Sequence, residues 1–305
     1  MPVSEPSKFN PRIAFAFPNF TLLQLSRFLI ILAMEMQSVA VGWQVYEITK
    51  QPLALGLAGL AQFLPGILLF LVAGHAADRY DRRKLLVACD VGFAACFALL
   101  LLMAVRGVHS VRPIYAVLVL LGIGRSFSGP VSRAIFPQLV PMEHFQNAVA
   151  WSSTVFQTAT ILGPALGGVI YAVFRGPSTV YAVALAGGVA ASFAALRIDT
   201  HANVRPRETF SANAAFAGFR YIWKEKAILG SISLDLFAVF LGGAVALLPV
   251  YAREILHAGP WGLGLLRTAP AVGAAGMAVF LAHKPLRRRA GITMLWCVAG
   301  FGIFT

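Results

Sequence analysis

Charge is what this sequence has least of. Charged residues make up 12% of its 305 residues and hydrophobic residues 58%, against about 25% charged in ordinary globular domains. A chain with so little polar surface cannot cover its apolar surface in water, so a soluble domain is excluded. Intrinsic disorder is excluded for the same reason. Three cysteines are too few for a disulfide scaffold. Six dispersed histidines make no metal motif, and the 28 glycines follow no three-residue period. A phosphate loop, a dinucleotide fingerprint and a nucleophile elbow are all missing. These absences argue against an enzyme and against a resident cofactor or metal. Any pumping would have to draw on an ion gradient.

Long apolar runs are what the sequence has instead, and the mean hydropathy is +0.76. A helix needs about 20 mostly apolar residues to cross a bilayer. Runs of that kind predict spans near 20–45, 53–77, 85–105, 113–136, 147–173, 178–196, 228–250 and 262–283, with a ninth beginning near 290. The runs are continuous, unlike the short alternating strands of a membrane barrel. The fold class is therefore an all-α polytopic membrane protein.

The net charge of +13 does not require a nucleic-acid partner, because the basic residues lie between the apolar runs. Lys8, Arg12, the group Arg79, Arg82, Arg83 and Lys84, Arg133, six cations from Arg197 to Lys226, and Lys284 with Arg287–Arg289 fall on one side. Only Lys50, Arg106, Arg112, Arg175 and Arg253 fall on the other. The positive-inside rule then puts the amino terminus in the cytoplasm.

Six spans, residues 1–196, precede a polar stretch at 197–227 that reads as a cytoplasmic linker. Within it, Phe210–Ile222 reads either as a helix on the membrane surface or as an ordered loop. Residues 228–305 hold spans seven, eight and part of nine. Leu55-Gly56-Leu57, Pro65 and Arg82-Arg83-Lys84 recur as Leu263-Gly264-Leu265, Pro270 and Arg287-Arg288-Arg289. This weak repeat fits two parallel six-span bundles. On that plan about nine of twelve spans are present, and the chain reads as C-terminally truncated.

Four groups of residues stand out. The first is Gly74-His75-Ala76-Ala77-Asp78-Arg79-Tyr80-Asp81-Arg82-Arg83-Lys84, a tight turn between spans two and three. Asp78 falls at a helix carboxyl end, where the macrodipole disfavours an anion. It calls for a partner in Arg79, Arg82 or the amino end of another helix. The cluster reads as a latch between bundles or as a basic loop obeying the charge rule. The second group is Gly163-Pro164-Ala165-Leu166-Gly167-Gly168 in span five. Gly163 and Gly167 share a helix face and permit close packing, and Pro164 can bend the helix.

The third is Arg125 in span four. A charge at mid-span costs about 2.5–3.5 kcal/mol on insertion scales, so Arg125 should face a cavity or a carboxylate. The fourth is a polar stripe on span one, Gln24, Arg27, Glu35, Ser38 and Gly42. It covers roughly a third of the helix circumference and should line a central cavity. Asp235 in span seven joins it. Glu35 and Asp235 read as proton-titrating groups or as structural partners for Arg27 or Arg125. Asp90 and Arg267 lie nearer span ends and read as structural.

The turn after span two resembles the signature of the major facilitator superfamily, with Ala76 where leucine is usual. The span-five run resembles that superfamily's antiporter motif, with Ala159 in place of an upstream glycine. Arg125 followed by Gly129 is similar to its buried arginine motif. Gly42–Thr49, Leu234–Phe237 and Leu247-Leu248-Pro249 look like the bacterial branch that includes the enterobactin exporter. The resemblance implies a monomeric carrier in the cell membrane that works by alternating access. It implies export of a siderophore- or drug-like small molecule by proton antiport, with the bilayer and protons as its other partners. With the polar stripe and the two carboxylates, it assigns Arg27, Glu35, Arg125 and Asp235 to the substrate and proton path. Gly74, Asp78, Arg79, Arg82, Arg83, Gly163, Pro164, Gly167 and Gly168 go to conformational gating. A solute importer of the same fold and an inactive truncated fragment remain the alternatives.

Overall fold

The computed structural model describes residues 13–108, 110–199, 220, 223–241, 243–283 and 290–304. Among the described residues there is no strand. Six helices pack into a bundle: α1 (Pro18–Thr49), α2 (Pro52–Arg79), α3 (Arg82–Val105), α4 (Val111–Ile135), α5 (Phe145–Phe174) and α6 (Pro177–Leu196). Each of the six is long and apolar enough to cross a membrane.

Their ends are written in the sequence. Proline opens α1, α2 and α6, where its missing N–H costs nothing. Asp81 caps α3, its carboxylate accepting from the Arg83 and Lys84 amides at 2.9 and 3.2 Å. Lys50 and Arg175 close α1 and α5 in the left-handed conformation. Successive helices run in opposite directions. We call the end where α1 begins the near end and the other the far end.

Helix α1 is the central post. It packs on α5 and α6, α3 packs on α6 and α4, and α2 packs on α4. Small residues let the backbones approach. Gly122 of α4 sits against the Gln62 carbonyl of α2, and a Cβ at Gly188 of α6 would lie 3.2 Å from the Ala94 Cα of α3. One apolar cluster, including Trp43, Phe93, Phe97 and Tyr181, fills the far two-thirds. A second, including Phe20, Leu86, Ile135 and Phe136, fills the near end. Asn19 closes the near end by exchanging two hydrogen bonds with the Asp199 backbone, at 2.8 and 3.0 Å. Much of α2 presents Phe63, Ile67, Phe70 and Leu71 outward.

Among the described residues three longer helices follow: α7 (Lys226–Leu241), α8 (Gly259–His283) and α9 (Ala290–Phe304). Helix α8 packs along α5 and touches α1. The unbroken span expected at 228–250 is not what forms. Helix α7 stops at Leu241 and is followed by a 3-10 segment at Gly243–Leu247, one helical turn at Leu248–Val250 and a π turn at Tyr251–Ile255. The cause is local: Gly243 is a poor helix former, and Pro249 cannot donate to the ladder. The expected surface segment Phe210–Ile222 lies outside the described residues apart from Arg220, as does the linker core beyond Asp199.

Candidate functional site

The stripe predicted on α1 divides in two. Arg27, Glu35 and Ser38 are half-buried on one face, whereas Gln24 and Gly42 are buried. Gln24 is 2% exposed, so it does not line a cavity, and its amide has no hydrogen-bond partner among the described residues. Gly42 is covered by Arg267, whose Nη2 would stand 3.4 Å from a Cβ there.

Glu35 lies within electrostatic reach of two guanidinium groups, Arg125 of α4 and Arg267 of α8. Arg267 links α8 to α1. Its guanidinium crosses to α1 and donates to the Ser38 hydroxyl, and its Nε is buried without a partner among the described residues. Arg125 lines a cavity of about 400 Å³ between α2 and α4, with Gln62, Phe63, Gly66 and Ser126. Arg27 does not meet Glu35. It donates to Ser152 of α5 and lines a separate pocket of about 230 Å³ at the near end. The side chain of Asp235 lies outside the described residues.

The span-five motif sits where α5 meets two helices at once. A Cβ at Gly163 would collide with the Cβ of Glu35, and one at Gly167 would lie 2.8 Å from the Met36 carbonyl oxygen. Gly168 faces the other way, so that a Cβ there would lie 2.7 Å from the Pro260 carbonyl oxygen and 2.9 Å from the Gly264 Cα. Pro164 is buried, and its carbonyl oxygen would be 2.6 Å from a Cβ on Gly264. The motif thus sets the distance from α5 to α1, beside Glu35, and to α8.

The turn after α2 spends its cations on helix ends. Arg82 donates to the Ala77 carbonyl at 3.3 Å and the Ala134 carbonyl at 3.0 Å, joining the last turns of α2 and α4. Arg83 donates to the Leu196 carbonyl at the end of α6. Cations there answer both the orphan carbonyls and the macrodipole. Arg79 is exposed, and open space surrounds Gly74. The side chain of Asp78 lies outside the described residues.

Two groupings went unread in the sequence. At the far end, Arg253 lies 3.8 Å from Glu47 and 4.0 Å from Glu254, with its guanidinium 5.6 Å from the Trp43 ring centroid. Tyr171 of α5 donates to Glu47 at 3.1 Å, and Tyr46 donates to Glu254 at 3.4 Å. This network ties α1 and α5 to the segment between α7 and α8. The only trace of it in the sequence is polar and aromatic residues crowded at predicted span ends. The second grouping is Asp90 of α3, 1% exposed, which accepts from Ser26 of α1 at 2.7 Å. It lies in the bundle interior, and a structural role fits it.

Over residues 10–304 the sequence matches the family described as transmembrane secretion effector, MFS_3, and the chain belongs to that family of major facilitator transporters, which are not enzymes. It is 27% identical over 284 residues to the multidrug efflux pump Tap of Mycobacterium tuberculosis, covering 87% of this chain and 65% of that one. It is 29% identical over 154 residues to macrolide efflux protein A of Streptococcus pyogenes, covering 50% of this chain and 38% of the relative. With the staphyloferrin A transporter of Staphylococcus aureus it shares 29% identity over 161 residues, covering 52% and 41%. The matches thus span less than two-thirds of these relatives' lengths. A bacterial homologue of the human lysosomal transporter Spinster, in an inward-facing and unoccupied conformation, matches with a TM-score of 0.65 at 19% identity. That match covers 90% of this chain and 64% of the other, and it speaks to the fold.

Proposed function

We propose that this chain carries a small molecule out across the cell membrane by alternating access, in exchange for protons. The observation that supports it best is Glu35. It stands half-buried on α1, packed against a glycine of the span-five motif and within reach of Arg125 and Arg267 from two other helices. An acid poised between movable helices and cations is what proton exchange needs, provided the two states of the carrier differ in proton affinity. The efflux names borne by the relatives favour export, and the siderophore- or drug-like class follows from them.

In this reading residues 1–196 and 228–305 belong to two bundles joined by 197–227, with the amino terminus in the cytoplasm. Glu35, Arg125 and Asp235 form the path, and Arg27 stands at its near-end mouth. The span-five glycines hold the far end together, while Gly74, Asp78, Arg79, Arg82 and Arg83 latch the near end.

The test is substrate-driven proton flux in vesicles holding the purified chain, with ethidium and a macrolide as probes. Flux of either probe coupled to protons, and uncoupled in Glu35→Gln or Asp235→Asn, is the expected result. If both variants stay coupled like the parent, the proton site lies elsewhere. Uptake against the export direction would favour the importer.

A further inference from the structure

The pocket at the near end of α1, α4 and α5 differs from the rest of the path in its charge. Two cations, Arg27 and Arg133, line it and lie within electrostatic reach of each other. Among the described residues that line it there is no carboxylate. Like charges held together disfavour one another, and an anion between them relieves that cost. Ser132, also in the lining, is 7% exposed, and its buried hydroxyl has no partner among the described residues. Such a hydroxyl costs free energy until something answers it.

Other features fit the same ligand. The Ser152 hydroxyl accepts from Arg27 and holds its guanidinium in place. Helix α5, 30 residues long, begins at Phe145 on the rim, so the positive end of its dipole adds to the field. Phe136 and Phe145 form an apolar wall, edge to face at 5.5 Å. The volume of about 230 Å³ falls below the range of drug-sized sites, about 300–1,000 Å³. It suits the charged head of a molecule and a short apolar part.

We propose that this pocket binds the anionic oxygen group, carboxylate or phosphate, of a small soluble amphiphile whose apolar part lies on Phe136 and Phe145. Arg27 and Glu35 share α1, about two turns apart, so the pocket stands at the mouth of the path towards Glu35, Arg267 and Arg125. The hand-on along that path rests on the export reading, whereas the binding does not.

Calorimetric titration of the purified chain in phosphatidylcholine nanodiscs tests it, with benzoate and inorganic phosphate as probes. A parallel set of nanodiscs contains phosphatidylglycerol. Saturable binding of benzoate is expected in phosphatidylcholine, with phosphate competing. Affinity should fall by about tenfold or more in Arg27→Gln and Arg133→Gln, the scale of a lost charged hydrogen bond. Arg133→Lys should retain most of it, and Arg112→Gln, an exposed cation at the far end, should bind as the parent does. Arg133 is exposed, so its variants keep the test alive should Arg27→Gln unfold. Failure of both probes to bind the parent overturns the proposal. So does unchanged affinity in the Arg133→Gln variant, or a response seen only with phosphatidylglycerol, which would make the occupant a lipid. Binding without proton-coupled flux would sink the export reading alone, and flux without binding would sink this proposal alone.

Discussion

Gly168 of α5 and Gly264 of α8 lie backbone against backbone, and neither has room for a Cβ beside the other. Within a bilayer, close backbone approach replaces the hydrophobic effect as the source of helix affinity. Gly168→Leu must therefore force α5 and α8 apart. Overpacking of this kind costs about 1–3 kcal/mol. The expected result is a lower Tm in detergent, while Gly56→Ala, where open space surrounds the glycine, melts as the parent does. A Gly168→Leu protein with the parental Tm would mean that the two helices are not in contact.

Arg253 should act as a far-end latch. It engages Glu47 and Glu254 and covers Trp43. Half-exposed ion pairs and a cation–π contact together contribute about 1 kcal/mol, on the order of a fivefold shift in a two-state population. Arg253→Gln should thus expose the interior from the far side. A Ser38→Cys reporter should react faster with a membrane-impermeant thiol reagent when Arg253→Gln is added. An unchanged rate would show that α5 and α8 keep the far end shut without the latch.

Asp90 and Ser26 form a buried pair in which the carboxylate depends on the hydroxyl. Ser26→Ala leaves a buried acceptor without this donor and should cost about 1–3 kcal/mol. Asp90→Asn keeps an oxygen acceptor for the hydroxyl and should cost less. Thermal unfolding of both variants ranks them. The reverse order would mean that the carboxylate is held chiefly by something other than Ser26.

The first six spans were legible because each is a long apolar run between polar breaks; the residues that set their ends, such as Pro52, Pro177 and Asp81, act locally on their own backbone. The span-five glycines were legible as a packing face, since two residues four apart must share a side of the helix. The break after Leu241 was obscured because most of 228–250 is apolar, and hydropathy does not register the missing N–H of Pro249. The link from Arg267 to Ser38 was hidden for a different reason: the two residues lie on helices far apart in the sequence, and the close Gly168–Gly264 contact helps bring α8 up to the bundle. Glu47, Tyr171 and Arg253 come from three distant segments, and no periodicity within one segment links them.

Arg267 gives the strongest test of the site. Its guanidinium bridges from α8 to Ser38 of α1, covers Gly42 and lies within reach of Glu35. It therefore touches α1 at the face that carries the candidate proton acceptor. If Arg267 only held α8 to α1, Arg267→Lys would keep a cation but lose the planar fork, and stability and flux would fall together. If it sets the field at Glu35, charge matters more than shape. We expect Arg267→Lys to retain most proton-coupled flux and Arg267→Gln to lose about tenfold or more, a barrier change of about 1.4 kcal/mol. Both variants should unfold within a few degrees of one another. Flux in vesicles and unfolding in detergent, measured on the same two preparations, separate the cases. Equal flux in Arg267→Lys and Arg267→Gln would remove Arg267 from the proton path and leave it a packing residue.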